Sequence, residues 1–230
     1  MKKNLYKIDN AIEKILNGSN TLFLDSNELK QIVSKLRKNE YNVYYPYEES
    51  DKVILYTNDI PKVSLFKIVC NEKLRHQDIL GSILSLNINS SYLGDIIIDD
   101  YYYYFYILSE LSCFIKDNLN MIGNKKIILE EIDINALKDY KRKYEEKTII
   151  VSSLRIDNVI SKIINLNRKN VLDKINNKEV ILNYEVLTKS SYNLKENDVF
   201  SIRKYGKYKY IKIINNTKKD NLIIKYLKYI

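Results

Sequence analysis

Apolar residues recur along this chain with two periods, and the switching between them lays out the expected elements. Ile8, Ala11, Ile12 and Ile15 fall on one face of a 3.6-residue helix, with Gly18 behind them as a stop. Residues 21–24 read as a strand. Asp25 or Ser26 can cap a second helix whose apolar face is Leu29, Ile32, Val33 and Leu36. Alternation then predicts strands over 41–45, 53–57 and 63–69, with Pro46 and Pro61 at the breaks. A helix over 76–86 carries Ile79, Leu80, Ile83 and Leu84 on its buried side. Strands over 96–98 and 101–106 flank a hairpin turn at Asp99-Asp100. A helix through Leu108, Leu111, Phe114 and Ile115 and a strand over 126–132 follow. Residues 135–147 are rich in charge and form the expected boundary with what comes next.

Past that boundary the pattern starts afresh. Ser152 or Ser153 can cap a helix with Ile156, Val159, Ile160, Ile163 and Ile164 at clean helical spacing. Asn167 caps another bearing Val171, Leu172 and Ile175. Strands are expected over 180–182, 199–203, 208–214 and 222–227, with turns at Asn183-Tyr184 and Gly206. The pattern therefore predicts an α+β chain of three small units. Residues 1–74 form an α/β-plait-like unit, residues 75–140 a small middle α/β unit, and residues 148–230 a unit of two short helices packed on hairpins.

Composition narrows the function classes. The chain has 230 residues, 45% apolar and 29% charged, ordinary values for a folded soluble protein. No stretch approaches the roughly 18 apolar residues of a membrane span, and Lys7, Asp9, Glu13 and Lys14 interrupt any leader-like core after Met1-Lys2-Lys3. A cytoplasmic protein without a membrane partner is expected. Cys70 and Cys113 lie far apart and His76 is the single histidine, too few ligands for a zinc site. Two free thiols suit a reducing compartment.

Charge changes the picture more. Lys, Asn, Ile and Tyr are heavily used, as AT-rich coding would produce, so the overall charge of +9 is weak evidence by itself. Its distribution is not even. Residues 1–140 hold 17 Lys+Arg against 20 Asp+Glu, a net of −3, whereas residues 141–230 hold 21 against 9, a net of +12. Codon bias acts along the whole chain, so a local cause is required, and phosphate backbones are the commonest one. The basic part is also rich in periodic Ile, Val and Leu, which sets it apart from a solvated tail.

Within that part, Ser153-Leu154-Arg155-Ile156-Asp157, then Asn167-Arg168-Lys169, Val180-Ile181-Leu182-Asn183, and Asn197-Asp198-Val199-Phe200-Ser201-Ile202-Arg203 follow one another in about 50 residues. This succession resembles the S4 (αL-type) RNA-binding domain. The resemblance implies that the face joining the two helices to the first hairpin docks on folded RNA. The residues it brings forward are Arg155, Arg168, Lys169, Lys178, Asn183, Lys189, Arg203, Lys204, Lys207 and Lys209. The chemistry of the residues points the same way. The chain has six arginines against 32 lysines, and three of the six stand at these positions. A guanidinium makes the bidentate phosphate contacts that an ammonium cannot, and the start of a helix favours anions. Asp157 reads as an internal partner that orients Arg155. Where the family has glycine before the first strand, the turn falls to Asn177 or Lys178, and the glycine of the later block is Asn197.

The resemblance extends upstream. His76-Gln77-Asp78-Ile79-Leu80-Gly81 and Leu93-Gly94-Asp95-Ile96, together with Arg203-Lys204-Tyr205-Gly206-Lys207-Tyr208, are similar to the YlmH family of bacterial S4 proteins, associated with division gene clusters and ribosome-associated quality control. This implies binding to rRNA, and to tRNA of an obstructed complex, on the large ribosomal subunit, with a monomer off the ribosome. Arg75 and His76 are candidates for a second RNA contact in the middle unit.

Other features carry less. His76 and Asp78 could polarise a catalytic step, but no nucleophile is placed beside them by sequence. Residues 101–105, Tyr-Tyr-Tyr-Tyr-Phe, could stack unpaired bases, although a strand filling both faces with tyrosine is more often core. The stretch 205–210, with Tyr205, Tyr208 and Tyr210 between Lys204, Lys207 and Lys209, is the better aromatic candidate. Five scattered glycines exclude a P-loop or a dinucleotide turn. No enzyme activity, cofactor or metal is expected. The rivals are a division-linked adaptor of proteins and an RNA-modifying enzyme acting around His76.

Overall fold

The computed structural model describes residues 2–100 and 102–230. Its chain divides into two compact units, between Lys141 and Arg142. Both mix helices with antiparallel sheets, so the fold is α+β.

The first unit opens with α1 (Lys2–Leu16), which buries Ile8, Ala11 and Ile15 and ends at Gly18, whose φ of 78° closes the helix. Asp25 caps α2 (Ser26–Val33): its carboxylate accepts the amides of Asn27 and Glu28, and Glu28 returns a bond to the Asp25 amide. Burial is the largest influence on the Asp25 carboxyl and raises its pKa, against the amide bonds that lower it. The expected strand over 21–24 reduces to a single bridge, Leu24 to Val53. β1 (Asn42–Tyr44) pairs with β2 (Ile54–Tyr56) in a separate hairpin.

The main sheet of this unit has the order β4-β5-β3-β8. It comprises β3 (Val63–Val69), β4 (Leu93–Asp99), β5 (Tyr102–Leu108) and β8 (Ile128–Ile132). α3 (His76–Ser85) lies between β3 and β4 in sequence. α4 (Ser112–Asn118) and the short pair β6 (Met121–Ile122) and β7 (Lys125–Lys126) lie between β5 and β8. β3 sits at the centre, bonded to β5 on one side and β8 on the other. The expected break after residue 74 therefore falls inside one sheet: local alternation identified each strand, but the pairing of β3 with partners 35 to 67 residues away is invisible to it. One face packs Phe66, Ile68, Tyr103 and Phe105 on Ile79, Ile83 and Ile115 of the two helices, and the other packs Leu65 and Tyr106 on Phe23, Tyr47 and Ile54.

The second unit starts with a strand where the sequence suggested a boundary. β9 (Tyr144–Val151) pairs along its full length with β14 (Leu222–Tyr229). Its charged first half, Glu145 and Glu146, suits an edge strand. α5 (Ile156–Ile163) and α6 (Arg168–Asn176) follow, then β10 (Val180–Leu182), β11 (Glu185–Val186), β12 (Val199–Ile202) and β13 (Gly206–Asn216). The six strands run in the order β11-β10-β12-β13-β14-β9. Ile156, Val159 and Ile160 of α5 and Val171 and Ile175 of α6 close over Val180, Phe200, Ile202, Tyr208, Tyr210, Ile224 and Tyr226 on one face of that sheet. Val171 is fully buried in this contact.

Candidate nucleic-acid interface

Asp157 organises the start of both helices in the second unit. It lies in the first turn of α5, 1% exposed, and accepts the Asn158 amide at 2.8 Å. Arg155, at the N-cap position, reaches it through Nε at 3.3 Å and Nη2 at 2.9 Å. Arg168, the first residue of α6, reaches the same carboxylate through Nε at 3.1 Å and Nη2 at 2.9 Å. Burial alone would raise the Asp157 carboxyl, but the hydrogen bonds and charges of the two guanidinium groups outweigh it and hold the pKa below its ordinary value. Arg155 is raised in turn, chiefly by its bond to Asp157. The guanidinium side chains remain 40% and 54% exposed. Two cations thus face solvent at two helix N-termini, held from behind by one carboxylate, a geometry suited to a phosphate.

The local sequence explains this arrangement. Neither Ser152 nor Ser153 caps α5; the chain instead makes a bridge from Arg155 to Asn193, and the Ile156 amide donates to the Tyr192 carbonyl. Asn167 does cap α6, accepting the Asn170 amide at 2.8 Å, which leaves Arg168 at the first helical position. Lys169 is exposed beside it. Lys189 is also exposed, one residue before Ser190, whose carbonyl accepts the Asp157 amide.

The other candidates lie elsewhere. Lys178 takes the left-handed turn at the end of α6 with φ 59°, and Arg203 donates its amide to the Glu179 carbonyl next to it. Arg203 and Lys204 therefore belong to the C-terminal end of α6, about 12 Å along the helix from Arg168. The three arginines do not form one constellation, because sequence spacing gives no direction across a helix end. Asn183 has both ends of its amide engaged, donating to Asp198 at 2.8 Å and accepting the Val199 amide at 2.9 Å. It ties the β10–β11 hairpin to β12 rather than presenting an open donor.

Lys207 and Lys209 sit on the sheet face away from the helices, because Tyr208 and Tyr210 point into the core at 4% and 2% exposure. The tyrosines of 205–210 are thus largely structural, and Lys207 finds its aromatic partners on neighbouring segments. Its ammonium lies 5.3 Å from the ring centre of Tyr184 and 4.7 Å from that of Tyr229. Neither ring was singled out by the sequence, where they are 23 and 22 residues from the lysine.

In the first unit Arg75 precedes α3 and binds Asp78 through Nε at 2.8 Å and Nη2 at 2.7 Å, exposed, next to an exposed His76. Of the tyrosine run, Tyr101 lies outside the described residues. Tyr103 and Phe105 are core, while Tyr102 and Tyr104 stack at 6.5 Å on the other face with Lys67 5.3 Å from the Tyr102 ring. Among the described residues no group of His, Cys, Asp and Glu is placed to hold a metal ion, and no helix is long and apolar enough to cross a membrane.

Comparison with known proteins finds similarity to a family, to a relative of known name and to a solved structure. Residues 58–136, in the first unit, match the family described as "Putative RNA-binding domain in YlmH". Over 145 residues the chain is 28% identical to the ribosome-associated protein quality control protein P2 of Bacillus subtilis (strain 168), a match covering 63% of this chain. The matched part spans 56% of that relative, little more than half its length. The cell division protein ylmH of Streptococcus pneumoniae has a similar fold, with a TM-score of 0.51 and 22% identity, covering 60% of this chain and 94% of that one. The chain is thus similar to YlmH-family proteins, and within it residues 58–136 carry the match to their RNA-binding domain.

Proposed function

We propose that this is a non-catalytic RNA-binding protein that docks on structured rRNA or tRNA of the large ribosomal subunit, in the rescue or quality control of stalled translation. Its basic unit acts as an S4-type module, spanning the strands and two helices of residues 148–230, and works in the cytoplasm as a monomer off the ribosome. The observation that carries the reading is the convergence of Arg155 and Arg168 on buried Asp157 at the mouths of two helices. Structured RNA is recognised mostly through backbone geometry, and paired guanidinium forks at helix N-termini meet that need. Lys169 and Lys189 flank the pair, and Lys178, Arg203, Lys204, Lys207 and Lys209 extend the cationic surface of the unit. Asn183 contributes by tying the β10–β11 hairpin to β12. Arg75 and His76 add a second contact from the first unit, in the part that matches an RNA-binding family. The name of the Bacillus relative supports the ribosomal setting.

Crosslinking in growing cells, followed by sequencing of the attached RNA, tests the reading. Large-subunit rRNA or tRNA is expected, with the crosslinks lost in Arg155→Gln/Arg168→Gln. Crosslinks spread over messenger RNA, or kept in full by the double variant, contradict it.

A further inference from the structure

The six-stranded sheet has a second face, and its composition differs from that of a solvated surface. Pairing fixes which residues share it. Ile181 stands opposite Val186 and Ser201, Ser201 opposite Lys207, Lys209 opposite Val199 and Leu227, and Leu227 opposite Glu146. A register shift after Tyr210 keeps Lys212 on this face, opposite Lys225. Both helices pack on the other side. The face therefore carries Lys207, Lys209, Lys212 and Lys225, and Glu146 on the same face binds Lys225 at 2.6 Å. Lys212 and Lys225 stand directly opposite one another, an arrangement of like charges that destabilises a sheet.

Aromatic rings stand at one corner of this cationic field. Tyr229 and Tyr144 meet edge to face at 5.0 Å, and Lys207 lies between the Tyr229 and Tyr184 rings. Tyr184 is held at a backbone cost. It is the second residue of the Asn183-Tyr184 turn, with φ 69°, where glycine is strongly favoured. A bulky side chain in that position gives its strain a use only if the ring does something there. Exposed Ile181 and Val186 continue the surface on the same hairpin.

We propose that this outward face binds unpaired RNA, with bases stacking on Tyr184 and Tyr229 and the phosphates meeting Lys207, Lys209, Lys212 and Lys225. Rings among lysines on an open sheet are how single strands are gripped without sequence preference. The inference rests on the reading of the unit as RNA-binding, and it separates two surfaces: helix N-termini for folded RNA, the sheet face for a single strand.

Fluorescence anisotropy of the full chain with labelled oligo-uridine and with a labelled hairpin RNA tests it. Tyr184→Ala/Tyr229→Ala should weaken oligo-uridine binding about tenfold or more and change hairpin binding less than about twofold. Tyr184→Gly relaxes the turn, so it should melt no lower than the parent while still losing oligo-uridine affinity. Lys207→Gln/Lys209→Gln/Lys225→Gln should flatten the salt dependence of oligo-uridine binding by roughly 2 log–log units, at about 0.7 per phosphate contact. Arg155→Gln/Arg168→Gln should show the opposite selectivity. Hairpin binding that depends on the arginines, with no oligo-uridine binding or none sensitive to the tyrosines, overturns this inference alone. Loss of self-association in Tyr184→Ala/Tyr229→Ala, as the sole effect, assigns the face to a second copy and also overturns it. Failure of both RNAs to bind the parent overturns the RNA reading itself.

Discussion

Asp157→Asn separates positioning from simple charge, because the two ideas predict opposite signs. Asn keeps the shape of the side chain but removes the charge and turns one acceptor into a donor aimed at the guanidinium groups. In the folded unit the carboxylate accepts four N–H bonds from Arg155 and Arg168 and one from the Asn158 amide. Without it both long side chains recover their rotamers, and RNA must immobilise them afresh. Each such immobilisation weakens binding by roughly 2- to 12-fold. Removing a negative charge near a phosphate works the other way. Across about 7 Å of water that repulsion accounts for only about threefold. Positioning wins, and Asp157→Asn should bind a structured RNA about tenfold more weakly.

The same substitution should destabilise the second unit by about 1–2 kcal/mol, since charged hydrogen bonds to a buried carboxylate are lost while the arginines regain water. That corresponds to a urea midpoint lower by about 0.5–1 M. The folded carboxyl titrates below its ordinary value of 3.8, so its contribution is complete above that pH and fades as the pH falls through the folded value. Parent and variant should therefore differ most at neutral pH and converge in acid. Anisotropy titrations and urea melts of both proteins measure these effects. Equal or tighter RNA binding by Asp157→Asn would refute the positioning argument, even if the melt shifts as expected.

Three further outcomes test the packing. Gly94→Ala would place a Cβ 2.8 Å from Tyr106 Cβ and 2.9 Å from Phe23 Cζ, so it should cost about 1–3 kcal/mol, read as a lower thermal midpoint of the first unit. Lys178→Gly frees a side chain from φ 59° at the end of α6 and should stabilise the second unit by up to about 1 kcal/mol in a urea melt. Tyr106→Phe removes a buried hydroxyl that has no hydrogen-bond partner among the described residues, whose pKa burial drives far up. It should leave the thermal midpoint unchanged or raised, and a fall of several degrees would reveal a partner.

Much of the chain was legible where local chemistry decides local structure. The face of Ile156, Val159 and Ile160, the Asn167 cap and the Asn183-Tyr184 turn are each set by a few neighbouring residues. What spacing could not supply was long-range pairing. β9 hides behind its glutamates because an edge strand tolerates charge, and β3 pairs with strands more than 30 residues away. The candidate site divides along the same line. Arg155 and Asp157 are two residues apart, so their pairing could be foreseen. Arg168 joins them only because the two helices pack side by side, and Arg203 leaves the group because it sits past the far end of α6. The rings around Lys207 come from a turn and a terminal strand, whereas Tyr208 and Tyr210 within 205–210 are buried in the core.

The central claim is that Arg155 and Arg168 together meet RNA phosphates, and the salt dependence of hairpin-RNA binding measures it directly. Each phosphate contact contributes about 0.9 to the log–log slope on a duplex. Arg155→Gln/Arg168→Gln should therefore flatten the slope by roughly 2 and weaken binding at every salt concentration. A double variant whose slope and affinity match the parent would contradict the claim.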